Sequence, residues 1–216
     1  MLIESNLSNE EIKNRFNINF EVVKEVIEEF FEEKIKIPVF IHIDGRLGNR
    51  RGATCGNYRE GYSSFKGMSE YFINKINDYK TSFPFHHIKL AATKLTRETK
   101  FHFNYWKSTH LYDQETVSSN SKLCFFFHVL IHELGHAIQF ENASSLGNKL
   151  NYIKIDDGII YVKNTLSENA SKTHILDAQK TYSDYHQSSF SELDAESYSR
   201  DFSPVIVEMY LEKIKK

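Results

Sequence analysis

The chain has 216 residues, of which 40% are hydrophobic and 26% are charged, and its formal net charge is −2. This length and composition predict one compact folded domain and exclude a disordered or low-complexity chain. Because the net charge is close to zero, the composition favours neither nucleic acid nor an anionic membrane surface as a partner.

The N-terminal sequence and the number of cysteines indicate the cellular compartment of the protein. The opening sequence MLIESNLSNEE has no basic segment followed by an apolar stretch, so we expect no secretory signal. No apolar run approaches the ~20 residues that cross a bilayer, which predicts no transmembrane helix. Cys55 and Cys124 are the only cysteines, too few for a disulfide framework or for a zinc site made of cysteine alone. We therefore expect a cytoplasmic protein with free thiols, and the sequence does not predict its oligomeric state.

The first 36 residues predict a pair of helices. Ser8 and Glu11 have the spacing of a capping box, and apolar residues recur at helical spacing from Phe20 to Phe31. The second helix is rich in glutamate, which DNA phosphates would repel, so we expect it to pack rather than to bind DNA. We assign residues 1–36 to an N-terminal helical segment and residues 37–216 to the main domain.

The main domain begins with signals for a small sheet. A β-branched run at residues 37–43 predicts the first strand, and a glycine-rich stretch at residues 45–67 predicts a loop or irregular hairpin. Residues 68–79 have the periodicity of a short helix. Further β-prone runs lie at residues 87–92, 101–106, 152–155 and 159–162, the last two flanking the turn sequence Asp156-Asp157-Gly158.

Two longer helices complete the prediction. Residues 121–140 are apolar around almost the whole helical circumference, which is typical of a buried helix. Residues 188–202 are helical again, and Ser203-Pro204 then either breaks this helix or begins a last one that ends near Ile214. We expect an α+β fold in which a small, mostly antiparallel sheet packs against the 121–140 helix, while the later helix closes a cleft.

The buried helix carries an H-E-x-x-H motif. Residues 130–138 read LIHELGHAI, so His132 and His136 are four residues apart and emerge about 40° apart on one helix face, where both can reach one metal ion. Glu133 lies about 100° round from His132, badly placed as a ligand but well placed to touch a water held by the metal. Zinc lowers the pKa of such a water toward ~7, and a carboxylate can take its proton.

The flanks of the motif distinguish a metal site from core histidines satisfied by hydrogen bonds. The neighbouring residues are uncharged, so two histidines and a glutamate on this helix would cost a few kcal/mol if they were left unpaired. A bound metal removes that cost. We therefore predict a catalytic zinc site at His132 and His136.

A third protein ligand is expected on the helix at residues 188–202, where residues 191–198 read SELDAESY. Glu192 and Glu196 are four apart and share a face, so one can bind zinc while the other accepts a hydrogen bond from a ligand histidine. We take Glu192 as the ligand, with Asp194 and Glu196 as alternatives. The competing interpretation is a solvated acidic helix face.

HELGH followed by E-x-D-A-E resembles the gluzincin metallopeptidases, and the short chain is most similar to minimal members of the ImmA/IrrE type. The resemblance implies a zincin-like metallopeptidase domain at residues 37–216, with Zn²⁺ as cofactor. It also implies that Glu192 is the third ligand and that Glu196 accepts from the outer nitrogen of a ligand histidine. Many members have aspartate at the latter position. The metzincin pattern is absent, because residues 139–142 supply neither its glycine nor its third histidine.

A peptidase also needs a donor for the oxygen that becomes negatively charged during the reaction. Tyr185 and His186, just before the Glu192 helix, are our candidates, and most other aromatic residues nearby are expected to be ordinary surface or core side chains. His128 lies one turn before His132, where we expect it to pack or to support a ligand rather than to bind zinc.

Taken together, the motifs predict zinc-dependent hydrolysis of peptide bonds, with Glu133 as general base and a protein or peptide as substrate. Two alternatives stay open. The first is a zinc hydrolase of a non-peptide amide, because zinc and Glu133 would serve any planar carbonyl. The second is a regulatory or binding protein with a vestigial zincin core.

Overall fold

A computed structural model of the chain describes residues 1–44, 48–49, 52–53, 56–60, 67–77, 85–91, 114–145, 151–154, 160–163 and 190–215. The helices in these ranges are α1 (Asn9–Phe16), α2 (Phe20–Phe31), α3 (Glu70–Asn77), α4 (Gln114–Ser145) and α5 (Phe190–Ile214). The strands are β1 (Ile3–Ser5), β2 (Val39–Asp44), β3 (Gly48–Asn49), β4 (Gly52–Ala53), β5 (Gly56–Glu60), β6 (His86–Ala91), β7 (Asn151–Lys154) and β8 (Ile160–Lys163).

Within the described ranges, the main sheet has four strands in the order β1-β2-β6-β5. β1, β2 and β6 are parallel, with Ile3 opposite Val39 and Val39 opposite His86, whereas β5 is antiparallel to β6. The prediction of a mostly antiparallel sheet is therefore wrong, although the mixture of helices and a small sheet is observed. Parallel neighbours require long crossover connections, and the helical pair α1–α2 forms the first of them, between β1 and β2.

The smaller strands follow the sequence pattern more closely. β7 and β8 form the predicted antiparallel hairpin, with Tyr152 opposite Val162. The glycine-rich stretch contains the short hairpin β3–β4 and also β5, which was not predicted as a strand of the main sheet. The strand predicted at residues 101–106 lies outside the described residues.

Local signals predict the start of α1, but α4 and α5 differ from the predicted bounds. Ser8 and Glu11 form both hydrogen bonds of the capping box at the start of α1. α4 is longer than predicted and contains one non-helical residue, Asn120, with φ −131° and ψ 30°. α5 continues through Pro204 as one helix. Ser203, just before the proline, donates its hydroxyl to the carbonyl of Ser199, and buried residues beyond Pro204 hold the following turns against the core.

The sheet separates two apolar layers. Side chains alternate along a strand, so Ile41 and Ile88 face the large core that contains α2, α4 and α5. Phe40, from the same strand as Ile41, packs on the other face with Phe72 of α3 and with Phe85. The result is a sheet with α3 on one side and the motif-bearing helix α4 on the other.

The N-terminal segment contributes to the same core as the motif. Ile3 of β1 and Phe31 of α2 belong to the cluster that also includes Leu130 of α4. The boundary at residue 36 stays a prediction, but side chains on its two sides pack together. Within the described part of the chain, no helix has the length and apolar character needed to cross a bilayer.

Candidate metal centre

Helix α4 carries the H-E-x-x-H motif through the centre of the fold. Its buried residues surround the motif on nearly all sides, as the sequence predicts, and include Leu130, Ile131, Leu134, Ala137 and Ile138. His132 and Glu133 are 8% and 5% exposed, and His136 is partly buried. Burial of these polar side chains in an apolar helix is costly unless each has a partner.

The two motif histidines lie close together. The ring centroids of His132 and His136 are 5.1 Å apart, and their planes are inclined by 83°. This arrangement follows from the four-residue spacing, which places the second imidazole one turn above the first. Two imidazoles in such proximity form the histidine pair that zinc sites on helices use.

Each motif histidine directs its Nδ1 toward an oxygen acceptor. Nδ1 of His132 is 3.3 Å from Oε2 of Glu196, and Nδ1 of His136 is 3.1 Å from Oε1 of Gln139. In the tautomer in which Nδ1 donates to these oxygens, Nε2 carries the lone pair that a metal would bind. Such contacts are the usual means by which proteins orient ligand histidines. The side chains therefore fit a zinc ion held through two Nε2 atoms.

Glu196 lies in α5, is fully buried and joins two histidines of α4. Its Oε2 is 3.3 Å from Nδ1 of His132 and 3.4 Å from Nε2 of His128. Burial alone would raise the pKa of the Glu196 carboxyl, but the neighbouring His128 and His132 outweigh it and hold the pKa well below its ordinary value. Glu196 is therefore an ionised acceptor inside the core.

Close packing of α4 on α5 brings this carboxylate to the motif. A Cβ on Gly135 would lie 3.0 Å from Cα of Ala195 and 3.2 Å from Cδ2 of Tyr198, so a larger residue would require α5 to shift by a few tenths of an ångström. One turn away, Ser199 Oγ donates a 2.7 Å hydrogen bond to the carbonyl of His128. The contacts show that the helices run antiparallel.

The structure describes less of four other predicted site residues than of the motif histidines. Glu192 and Asp194 belong to α5, but their side chains lie outside the described residues, and Tyr185 and His186 lie outside them altogether. Among the side chains that the structure does describe, no group of three or more His, Cys, Asp or Glu residues could hold a metal ion. The described part of the site is thus the histidine pair with Glu133 and the groups that orient the histidines.

Two contributors were not anticipated from the sequence. Gln139 is three residues after His136, a spacing at which helical side chains are neighbours, and this signal could have identified it. Ser199 contacts the backbone of α4, and no local pattern marks that contact. His128, which we expected to pack or to support a ligand, contacts the same carboxylate as His132.

Comparisons with known proteins do not add to this description. No family model, no curated protein and no solved structure matches the chain.

Proposed function

We propose that this chain is a zinc metallopeptidase of the gluzincin type, similar to minimal ImmA/IrrE members. His132 and His136 would hold Zn²⁺ through Nε2, Glu192 would be the third ligand, and Glu133 would be the general base. The observation that carries the proposal is the placement of both Nδ1 atoms against oxygen acceptors, because it orients both rings as ligand histidines are oriented.

The antiparallel helix pair supports Glu192 as the third ligand. Glu196 meets His132, and the neighbouring contacts show that α5 runs opposite to α4. A residue one turn before Glu196 therefore has its backbone at the level of the turn after His132, which is the turn of His136. Glu192 occupies that position in α5.

The chain's own residues have defined tasks in hydrolysis. Zinc held by His132, His136 and Glu192 would lower the pKa of a bound water and polarise the carbonyl of the scissile bond. Glu133, buried beside His132, accepts the proton of the attacking water and delivers it to the leaving amine. Tyr185 or His186 would donate to the carbonyl oxygen as negative charge develops.

The proposed substrate is a protein or peptide, and the proposed location is the cytoplasm. The location is supported by the cysteine content, because the chain has only two cysteines, of which Cys124 is buried. Thiols persist in a reducing compartment.

The test compares bound zinc and peptide hydrolysis in the wild type with those in Glu133→Gln and Glu192→Ala. We expect about one equivalent of zinc in the wild type and in Glu133→Gln, and much less in Glu192→Ala, because only the last change removes a ligand. Activity on a quenched-fluorescence peptide library should fall by ~10²–10⁴-fold in Glu133→Gln. Glu208→Ala, an exposed glutamate on α5, is the matched control and should change neither quantity.

Each other outcome has a definite meaning. Equal zinc in the wild type and Glu192→Ala would assign the third ligand to Asp194, Glu196 or another residue. Zinc with no hydrolysis of any peptide, but cleavage of small amides, would favour a non-peptide hydrolase. A wild type that binds no zinc would contradict the proposal and favour a vestigial core.

A further inference from the structure

The carboxylate of Glu196 has a second histidine beside it that the proposed zinc site does not use. Nε2 of His128 lies 3.4 Å from the same Oε2 atom that Nδ1 of His132 approaches to 3.3 Å. His128 is 6% exposed and Glu196 is fully buried. Three polar side chains therefore meet around one oxygen inside an apolar core.

The geometry of His128 differs from that of the two motif histidines. His132 and His136 direct Nδ1 to their acceptors, whereas His128 directs Nε2, the nitrogen at the tip of the ring, to Glu196. The imidazole of His128 is thus oriented by the carboxylate and not toward a shared metal position. Its role is to contact the group that orients a ligand.

The position of His128 is itself fixed by α5. Ser199 Oγ donates a 2.7 Å hydrogen bond to the carbonyl oxygen of His128, and both groups are buried. Ser199 is three residues after Glu196, so one face of α5 contacts both the backbone and the side chain of His128. The carboxylate and its second histidine are therefore held as one unit.

A carboxylate that is shielded from water depends on protein donors to fix its direction. Donors from two successive turns of α4 approach Oε2 of Glu196 and thereby limit rotation of the carboxylate. If one donor were removed, the acceptor of the His132 Nδ1–H group would be less fixed. The direction of His132 Nε2 would then vary as well.

We propose that His128 is a positioning residue for the metal centre: it holds the Glu196 carboxylate, which in turn orients His132 for zinc. This inference rests on the proposed zinc function and goes beyond it, because it assigns a role to a residue outside the ligand set. His128 contacts neither substrate nor metal in this role.

The test uses two amide substitutions that differ in reach. In His128→Gln the side-chain nitrogen occupies about the place of the imidazole Nε2, so it can still donate to Glu196. In His128→Asn the amide corresponds to Nδ1 and falls short of the carboxylate. Both variants stay polar and similar in size. A difference between them therefore reports the contact and not the loss of packing alone.

His86 provides the matched control. It is also a buried histidine whose Nε2 contacts a carboxylate, at 2.8 Å from Oε1 of Glu141, but it lies on β6 and its acceptor is outside the H-E-x-x-H motif. His86→Asn should lower the melting temperature without changing zinc affinity. Zinc affinity is measured by competition with a chromogenic chelator, and the visible spectrum of the cobalt-loaded protein reports the geometry of the ligands.

We expect His128→Asn to weaken zinc binding by ~10–100-fold and to alter the cobalt spectrum, as is usual when a group behind a ligand is removed. His128→Gln should stay close to the wild type in both measurements. If His128→Asn does not fold, zinc binding close to the wild-type affinity in His128→Gln together with weakened binding in folded His128→Leu would support the proposal.

Three results would overturn it: wild-type zinc affinity in His128→Asn or in the substitute His128→Leu, equal weakening in His128→Gln and His128→Asn, or equal weakening in His86→Asn. In each of these cases the wild type still binds zinc, so the proposed function survives. A wild type that binds no zinc overturns both.

Discussion

At the scale of single residues, Gly135 determines how closely the two site helices approach. The atoms nearest to an added Cβ are Cα and the carbonyl oxygen of Ala195, at 3.0 and 3.2 Å. These are backbone atoms, which cannot rotate away as the end of a flexible side chain can. The contact between His132 and Glu196 therefore depends on the small size of a residue that has no side chain.

Gly135→Ala is expected to lower the free energy of unfolding by about 1–3 kcal/mol, because an inserted methyl in a tight core forces the backbones apart. Zinc affinity should fall as well, since Glu196 moves away from His132. Denaturation in urea and chelator competition measure the two effects. Adding Ala195→Gly should not restore either quantity, because the close atoms belong to the backbone of residue 195. Wild-type stability in the single variant would contradict this account.

At the scale of elements, Glu141 connects the end of α4 to two other parts of the fold. Its carboxylate accepts from the backbone N–H groups of Lys36 and Ile37, just before β2, at distances of 2.8 to 2.9 Å. It also contacts Nε2 of His86, at the start of β6, at 2.8 Å. One side chain thereby fixes the motif helix against two neighbouring strands.

Glu141→Gln should lower the free energy of unfolding by about 1–3 kcal/mol, because the new amide N–H₂ places a donor against N–H groups that now donate to the carboxylate, among them that of the buried His86. Amide hydrogen exchange at Lys36 and Ile37 should accelerate. Glu29→Gln is a suitable comparison, since Glu29 is 59% exposed and contacts Lys213 at 3.2 Å. That surface pair is expected to contribute less than about 1 kcal/mol. Equal losses of unfolding free energy in the two variants would show that the Glu141 contacts stabilise the fold no more than an exposed ion pair does.

The capping box of α1 gives an element-scale prediction for pH. The backbone N–H of Ser8 donates to Glu11, and together with the Ser8 hydroxyl it lowers the pKa of Glu11 below 4.5. A lowered folded-state pKa means that the charged form adds stability above pH 4.5, and that this gain is lost as the pH falls through the lowered value. The melting temperature of the wild type should therefore exceed that of Glu11→Gln at neutral pH, with the gap closing in acid.

Glu10→Gln removes a charge from the same first turn of the helix but leaves the box intact. Its melting temperature should follow the wild type more closely across the same titration. A constant gap between the wild type and Glu11→Gln at every pH would contradict the assignment.

Elements with a repeating local pattern were predictable from the sequence. α2 was predicted at its observed bounds, and β2, β6 and the β7–β8 hairpin within one or two residues. β1 was missed because three residues carry too little alternation to recognise, and the parallel pairing of the sheet was missed with it. The break proposed at Pro204 did not occur, since buried turns on both sides outweigh one lost hydrogen bond.

Less of the candidate site was predictable, and for a related reason. The spacing of the motif fixes the relation of His132 to His136, because both lie on one helix. The meeting of His128 and His132 at one oxygen of Glu196 depends instead on the distance between two helices far apart in the chain. The periodicity of the sequence gives no information about the distance between these two helices.

At the scale of the whole molecule, the candidate site lies on helices that share one core with the N-terminal strand. Ile3 of β1, Val23 of α2 and Tyr210 of α5 belong to the same apolar cluster as the motif helix. Tyr210 also accepts a 2.8 Å hydrogen bond from the backbone of Asn19, at the start of α2. The helices that would carry the zinc ligands therefore cannot separate without disturbing packing that extends to the N-terminus.

This connection predicts that zinc stabilises the entire fold and not only its site. A ligand that binds the folded state alone adds about 2.7 kcal/mol at 100 times its Kd. Added zinc should therefore raise the melting temperature of the wild type and of Glu133→Gln by the same amount, because Glu133 is not a ligand. Glu192→Ala should gain much less, and chelator should remove the gain. Since α4 and α5 unfold with the core, far- and near-ultraviolet circular dichroism should report one shared transition. An equal zinc-dependent rise in Glu192→Ala would place the stabilising ion elsewhere in the chain.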